Sequence, residues 1–156
     1  MARLDTADSA VGAKDGDRPV KFNERMGFKS SLFQYAQNLP IEAGSFPFPD
    51  DQVDATNSDA LVLLTVYPRP TPWNISDADV NALAAQCARL NKAKRRILLR
   101  FAPEMNGDWN FYGQQPTQFI ALWKRVHAAV REQAPETGFV WSPSSGEGCK
   151  FFWMVD

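Results

Sequence analysis

The chain has 156 residues, of which 44% are hydrophobic and 22% charged, the composition of one globular domain with a sizeable core. Its 17 Lys and Arg and 18 Asp and Glu residues leave a formal net charge of -1, so no nucleic acid and no anionic membrane is expected as a partner. Two distant cysteines, Cys87 and Cys149, exclude a disulfide framework and the short paired spacings of a zinc site.

The first segment, residues 1–19, is polar and predicts a disordered N-terminal stretch ahead of a single domain over residues 20–156. It lacks the apolar centre of a secretory signal. Phe22 and Met26 are then spaced as one face of a short helix that ends at Gly27.

Four runs predict strands, and each stops at or beside a proline. The run over residues 60–68 is continuously apolar, and the run over residues 96–102 is expected to bury both faces. The predicted strands cover residues 30–40, 60–68, 96–102 and 138–143. The stretch between the first two is predicted to be a loop with at most a short helix.

Two helices separate the last three strands. Ser76 and Asp79 form a capping box variant that starts the first of them, and Pro116 occupies a favoured first position of the second, which ends before Pro135. Apolar residues at helical spacing predict the buried stripes. The first stripe contains Val80, Leu83, Ala84, Cys87 and Leu90, and the second contains Phe119, Leu122, Trp123, Val126 and Val130.

This alternation of strands and helices predicts the α/β class, with parallel βα units and right-handed crossovers. Such folds build their sites at the carboxyl ends of the strands. The sequence contains no P-loop and no GxGxxG after a strand, so a nucleotide-binding version is not indicated.

The stretch RFAPEMNGDW, residues 100–109, places Glu104 directly after the third predicted strand, beside Trp109, Phe111 and Tyr112. An acid shielded by aromatic rings can serve as a proton donor, which glycoside hydrolysis requires together with a second carboxylate. The residues alone also allow Glu104 to be a salt-bridge partner, and the aromatic rings to be local packing. Glu147 is the nearby acidic candidate for the second carboxylate, but nothing in its spacing supports that role.

The stretch RFAPEMNGDWNFYG, with FIALWKRV and FVWSPSSG, resembles glycoside hydrolase family 26, especially its fungal-type members, over roughly residues 20–148. The resemblance implies a (β/α)8 TIM barrel, of which this chain would hold about strands 2 to 5, and a retaining glycosidase of the endo-β-mannanase type. It implies Glu104 as the general acid/base. The implied substrate-binding residues are Arg100, Asn106, Trp109, Tyr112, Trp141 and Trp73, with Trp141 and Ser142 lining the cleft.

The family's nucleophile is a second Glu on barrel strand 7, so this chain is expected to supply only the acid/base. Two alternatives stay open, a noncatalytic remnant that binds glycans weakly and a truncated barrel fragment without a ligand. No cofactor and no metal are expected, because carboxyl groups carry the chemistry of retaining glycosidases. The expected partner is a polysaccharide or oligosaccharide substrate, open sheet edges favour self-association, and the resemblance implies an extracellular location.

Overall fold

The computed structural model describes residues 2–3, 18–41, 50–69 and 71–145, so Cys149 and Glu147 lie outside the described residues. Within these residues strands and helices alternate as predicted. The elements in chain order are β1 (Ala2–Arg3), α1 (Pro19–Met26), β2 (Leu32–Leu39), α2 (Asp50–Asp54), β3 (Leu61–Pro68), a 3-10 turn (Pro72–Asn74), α3 (Asp77–Lys92), β4 (Ile97–Phe101), α4 (Pro116–Gln133) and β5 (Gly138–Phe139).

The five strands form one sheet in chain order, and every neighbouring pair is parallel. β2 and β3 pair along their whole length, while β5 pairs with β4 at two positions. β1 lies within residues 1–19, the stretch predicted to be disordered, and its two residues pair with Phe33 and Gln34. Backbone groups alone can form this pairing, so the polar sequence did not reveal it.

The predicted helix boundaries follow local signals. Gly27 ends α1 in the left-handed conformation with φ of 70°, and its N–H donates to the carbonyl of Asn23. The Oγ of Ser76 accepts from the backbone N–H of Asp79, and the Asp79 carboxylate accepts in return from the Ser76 N–H. The Ser76 hydroxyl also donates to the Asp79 carboxylate at 2.6 Å, and this hydrogen bond, together with that from the Ser76 N–H, lowers the pKa of Asp79.

Alternation along the strands gives the sheet two different faces. Phe101 packs against Trp123 of α4, and Gln37 of β2 exchanges amide hydrogen bonds with Gln86 of α3, so the face that carries Phe101 and Gln37 lies under the helices. The buried strand residues of this face are Phe33, Tyr35, Leu39, Val62, Leu64, Val66, Ile97, Leu99 and Phe101.

The opposite face is more polar. Gln34 of β2 donates to the hydroxyl of Thr65 in β3, and Arg100 lies in register with Thr65. β3 is buried on both faces in its middle, whereas β4, predicted to bury both faces, is buried on the helix face and half-buried on the opposite face. The polar face leads, at the carboxyl ends of the strands, to the candidate site.

Candidate active site

The site begins with a strained turn at the end of β4. Ala102 and Glu104 have φ of 46° and 58°, and Pro103 lies between them. Residues other than glycine rarely adopt this left-handed backbone conformation, because it costs on the order of 1 to 3 kcal/mol per residue. It persists where surrounding contacts impose it. The turn lifts Glu104 out of the sheet and presents its side chain at the carboxyl edge.

Three hydrogen bonds impose the turn. The backbone N–H of Ala102 donates to the carbonyl of Val66, and that of Glu104 donates to the carbonyl of Ser142 at 2.7 Å. Between them, the Tyr112 hydroxyl donates to the carbonyl of Pro103 at 2.9 Å. β3, the segment after β5 and the following loop therefore hold the backbone around Pro103.

Tyr112 is fully buried, and this burial raises the pKa of its hydroxyl far above the ordinary value, so it remains a proton donor to Pro103. Because its ring has no exposed surface, Tyr112 supports the loop and does not present a face to a ligand in this structure. Smaller electrostatic influences on the hydroxyl come from the surrounding groups Tyr67, Arg69, Glu104 and Arg100.

Trp109 holds the carboxylate itself. Its indole Nε1 donates to Oε2 of Glu104 at 2.9 Å, while 53% of the side chain stays exposed. The ring lies directly over Gly107, where an added Cβ would come within 2.4 Å of it. The spacing Glu104, Gly107, Trp109 is thus explained, since only a residue without a side chain lets the indole lie against the loop and reach the carboxylate.

The segment that follows β5 closes the loop from the other side. Asn106 is 1% exposed, and its amide donates to the carbonyl of Ser144 at 2.7 Å and accepts from the Ser144 N–H at 2.8 Å. Arg100 Nε donates to the hydroxyl of Ser142 at 3.0 Å. Asn106, predicted to bind substrate, therefore bonds the backbone of the neighbouring segment, and Arg100 is fixed beside the turn.

The structure places Trp141 away from the cleft that it was predicted to line. Its ring centroid lies 5.4 Å from that of Phe119 and 5.2 Å from that of Trp123, both on α4. Successive residues of an extended segment point to opposite sides, so Ser142 faces Arg100 while Trp141 faces the helix. Trp141 packs here in an aromatic cluster with half-buried Trp123.

Trp73 lies on the connection between β3 and α3, where its Nε1 donates to the side chain of Gln115 at 2.8 Å.

Sequence reasoning missed Arg69, whose guanidinium lies 5.6 Å from the Tyr67 ring centroid and 5.5 Å from that of Phe111. Tyr67 could have been found from the sequence, because it lies at the end of a predicted strand. No local sequence pattern marks Arg69.

Among the residues that the structure describes, no group of three or more His, Cys, Asp and Glu side chains is arranged to hold a metal ion. Within the same residues, no helix has the length and apolar character needed to cross a membrane.

The parallel sheet, the helices on one face and the polar strand ends define part of a (β/α)8 barrel, as predicted. Solved structures with this fold include a Bacillus subtilis mannanase, man26, at a TM-score of 0.66 and 12% identity, with 86% of this chain and 53% of that chain covered. The YdhT protein from Bacillus subtilis matches at a TM-score of 0.64 and 11% identity, with 86% and 54% covered. The chain thus spans about half the length of these structures.

A sequence profile of glycosyl hydrolase family 26 matches residues 34–151, and the chain belongs to that family. This match confirms the resemblance seen in the loop around Glu104. A search of curated proteins finds no match.

Proposed function

We propose that this chain carries the acid/base part of a retaining glycoside hydrolase site that acts on a β-linked polysaccharide such as mannan. The observation that carries the proposal is the position of Glu104, whose carboxylate is held by Trp109 on a strained turn at the carboxyl end of β4. Barrel enzymes assemble their catalytic groups at this end of the strands.

In this proposal Glu104 first gives its proton to the glycosidic oxygen as the bond to the leaving sugar breaks. The same carboxylate then takes a proton from water, which attacks the glycosyl-enzyme intermediate. An indole N–H can only donate, so Trp109 favours an unprotonated Oε2 and directs the transferred proton to Oε1 of Glu104. The same hydrogen bond stabilises the carboxylate after the proton has left.

Retention also needs a nucleophilic carboxylate about 5 to 5.5 Å from the acid/base. We propose that this group comes from outside the described residues. Arg100, fixed by Ser142, is assigned to orient the acid/base, and Trp109 is assigned to contact the sugar with its exposed ring. Asn106 and Tyr112 are assigned to position the loop.

The test is release of reducing sugar from β-mannan, β-xylan and β-glucan by the purified chain and by Glu104→Gln. The substitution keeps the size of the side chain but removes the transferable proton, so we expect the rate to fall about 100-fold to 10,000-fold. Glu132→Gln, at an exposed position on α4, is the matched control and should keep the full rate.

An active chain that Glu104→Gln leaves unchanged would refute the acid/base assignment. If the purified chain hydrolyses none of the glycans but still binds them, noncatalytic glycan binding would replace the acid/base assignment. The exposed rings of Trp109 and Phe111 favour this second function. The extracellular location and self-association through sheet edges stay predictions.

A further inference from the structure

The connection between β3 and α3 contains the triplet Asn74-Ile75-Ser76, the one Asn-X-Ser/Thr motif in the sequence. This motif accepts N-linked oligosaccharides when its middle residue is not proline. Because three residues also match by chance, the position of the motif in the fold decides whether it can carry a bulky, hydrated group.

The turn presents Asn74 to solvent while its neighbours are held in place. Asn74 is exposed, whereas Pro72 is buried and Ile75 is 3% exposed. The Asn74 N–H donates to the carbonyl of Thr71 at 3.0 Å, and the Arg125 guanidinium donates to the carbonyl of Ile75 at 3.0 Å. An oligosaccharide on Asn74 would therefore extend into solvent without displacing a packed side chain.

The fold does not use the Asn74 amide. Within the part of the chain that the structure describes, the side chain of Asn74 makes no hydrogen bond. Asn81 and Asn106, by contrast, bond other groups of the protein through their side chains. The Nδ2 atom of Asn74 can therefore be modified without loss of a contact that stabilises the fold.

The third residue of the motif, Ser76, is engaged in the folded chain. Its hydroxyl donates to the Asp79 carboxylate at 2.6 Å and accepts from the Asp79 N–H at 3.2 Å. The motif requires this hydroxyl, and the capping box of α3 occupies it. A transferring enzyme can therefore engage the motif only before the N-terminus of α3 has formed its cap.

We propose that Asn74 carries an N-linked oligosaccharide, attached before the cap of α3 forms, in a chain that passes through a eukaryotic secretory pathway. In this step Nδ2 of Asn74 attacks the anomeric carbon of an oligosaccharide carried on a lipid diphosphate. A C–N bond forms and the bond from that carbon to the diphosphate oxygen breaks. Nδ2 loses a proton to a base of the transferring enzyme, and the lipid diphosphate leaves.

This modification is separate from the proposed hydrolysis, because it does not involve Glu104 or the groups that hold it. It follows from the predicted extracellular location, which would bring the chain into contact with the transferring enzyme during synthesis. The attached sugar would then be part of the protein and not its substrate.

The experiment expresses the full chain behind a cleavable secretory leader in eukaryotic cells and measures its intact mass before and after treatment with peptide-N-glycosidase. The treatment should remove the mass of one oligosaccharide and convert Asn74 to aspartate, which peptide mapping locates. Asn74→Gln should show no such loss. The matched control is Asn81→Gln, at an exposed asparagine outside the motif, which should keep the oligosaccharide.

Two substitutions of Ser76 separate the motif from the helix cap. Ser76→Asn removes the motif but keeps a strongly preferred N-cap residue, so it should melt like the parent and carry no oligosaccharide. Ser76→Thr keeps both the motif and the cap and should stay modified. A secreted, folded parent without the mass loss, or the same loss in Asn74→Gln, would overturn the proposal.

The order of events has its own test. The unmodified chain is offered to the solubilised transferring enzyme and its lipid-linked donor, either already folded or diluted directly from urea. Modification should occur in the diluted sample and not in the folded one. Equal modification of the two samples would overturn the assignment of the step to the time before the cap forms.

Discussion

Gly107 offers a direct test of how Glu104 is held. In Gly107→Ala the new Cβ would lie 2.4 to 2.6 Å from three atoms of the Trp109 ring, far inside van der Waals contact. The φ of Gly107 is not in the left-handed region, so alanine can adopt the backbone. The half-exposed indole is the group free to move, and its movement breaks the Nε1 hydrogen bond to Glu104.

The magnitude follows from that bond. A hydrogen bond to a charged group contributes about 1.5 to 3 kcal/mol. If its loss is felt fully at the acid/base, kcat/KM falls about 10-fold to 150-fold, since each 1.4 kcal/mol is a factor of ten. Stability should change little, because Gly→Ala restricts the unfolded chain by about 0.4 to 1 kcal/mol, which offsets part of the displaced packing.

The assay compares kcat/KM and urea unfolding for Gly107→Ala, Trp109→Phe and the double variant. Trp109→Phe removes the N–H without a clash, so the double variant should be no worse than either single one. Gly27→Ala is the control: its φ of 70° strains alanine, but its position is remote, so it should lower stability and leave kcat/KM unchanged.

A readout independent of activity is the indole N–H resonance of Trp109 in a 15N-labelled chain. It should shift in Glu104→Gln and in Gly107→Ala, and stay in place in Gly27→Ala. The proposed contact between indole and carboxylate would be refuted if both Gly107→Ala and Trp109→Phe kept the kcat/KM of the unaltered chain. It would also be refuted if the indole resonance did not shift in Glu104→Gln.

Two further predictions concern stability. Asn106→Ala removes both hydrogen bonds to Ser144 and should lower the free energy of unfolding by about 1 to 3 kcal/mol in urea titrations; an unchanged midpoint would show that Asn106 does not hold the segment after β5. Burial raises the pKa of Cys87 from 9.0 to about 12, so between these values the unfolded chain loses a proton that the folded chain keeps, and stability falls as pH rises. Cys87→Ala should flatten that fall between pH 9 and 12, and an identical slope would contradict the assignment.

Local signals explain why most of the fold could be predicted. A helix start depends on a few adjacent residues, as in the capping box of Ser76 and Asp79, and a buried parallel strand reads as a continuous apolar run. β1 escaped prediction because two residues carry no periodicity and their pairing uses backbone groups. Strand ends were accurate to within a few residues, although β5 keeps only Gly138–Phe139 of the predicted run.

The site was harder to predict, because loops have no period. Phe111 and Tyr112 are adjacent and both aromatic, yet one is 59% exposed and the other fully buried. The face of the sheet on which Trp141 lies could be assigned only once the alternation of side chains along β5 and the segment after it was known. The Glu-Met-Asn-Gly-Asp-Trp spacing predicts Glu104 as the acid/base, and the geometry that needs Gly107 is local to that loop.

In the part of the chain that the structure describes, the hydrogen bonds to the turn of the proposed acid/base come from its own loop, from β3 and from the segment after β5. Val66 and Ser142 bond the backbone on either side of Pro103, while Tyr112 and Trp109 bond the carbonyl and the carboxylate. The strain of Ala102 and Glu104 is therefore offset within about half the length of the related barrels. The described residues thus contain hydrogen bonds that position Glu104 and its turn.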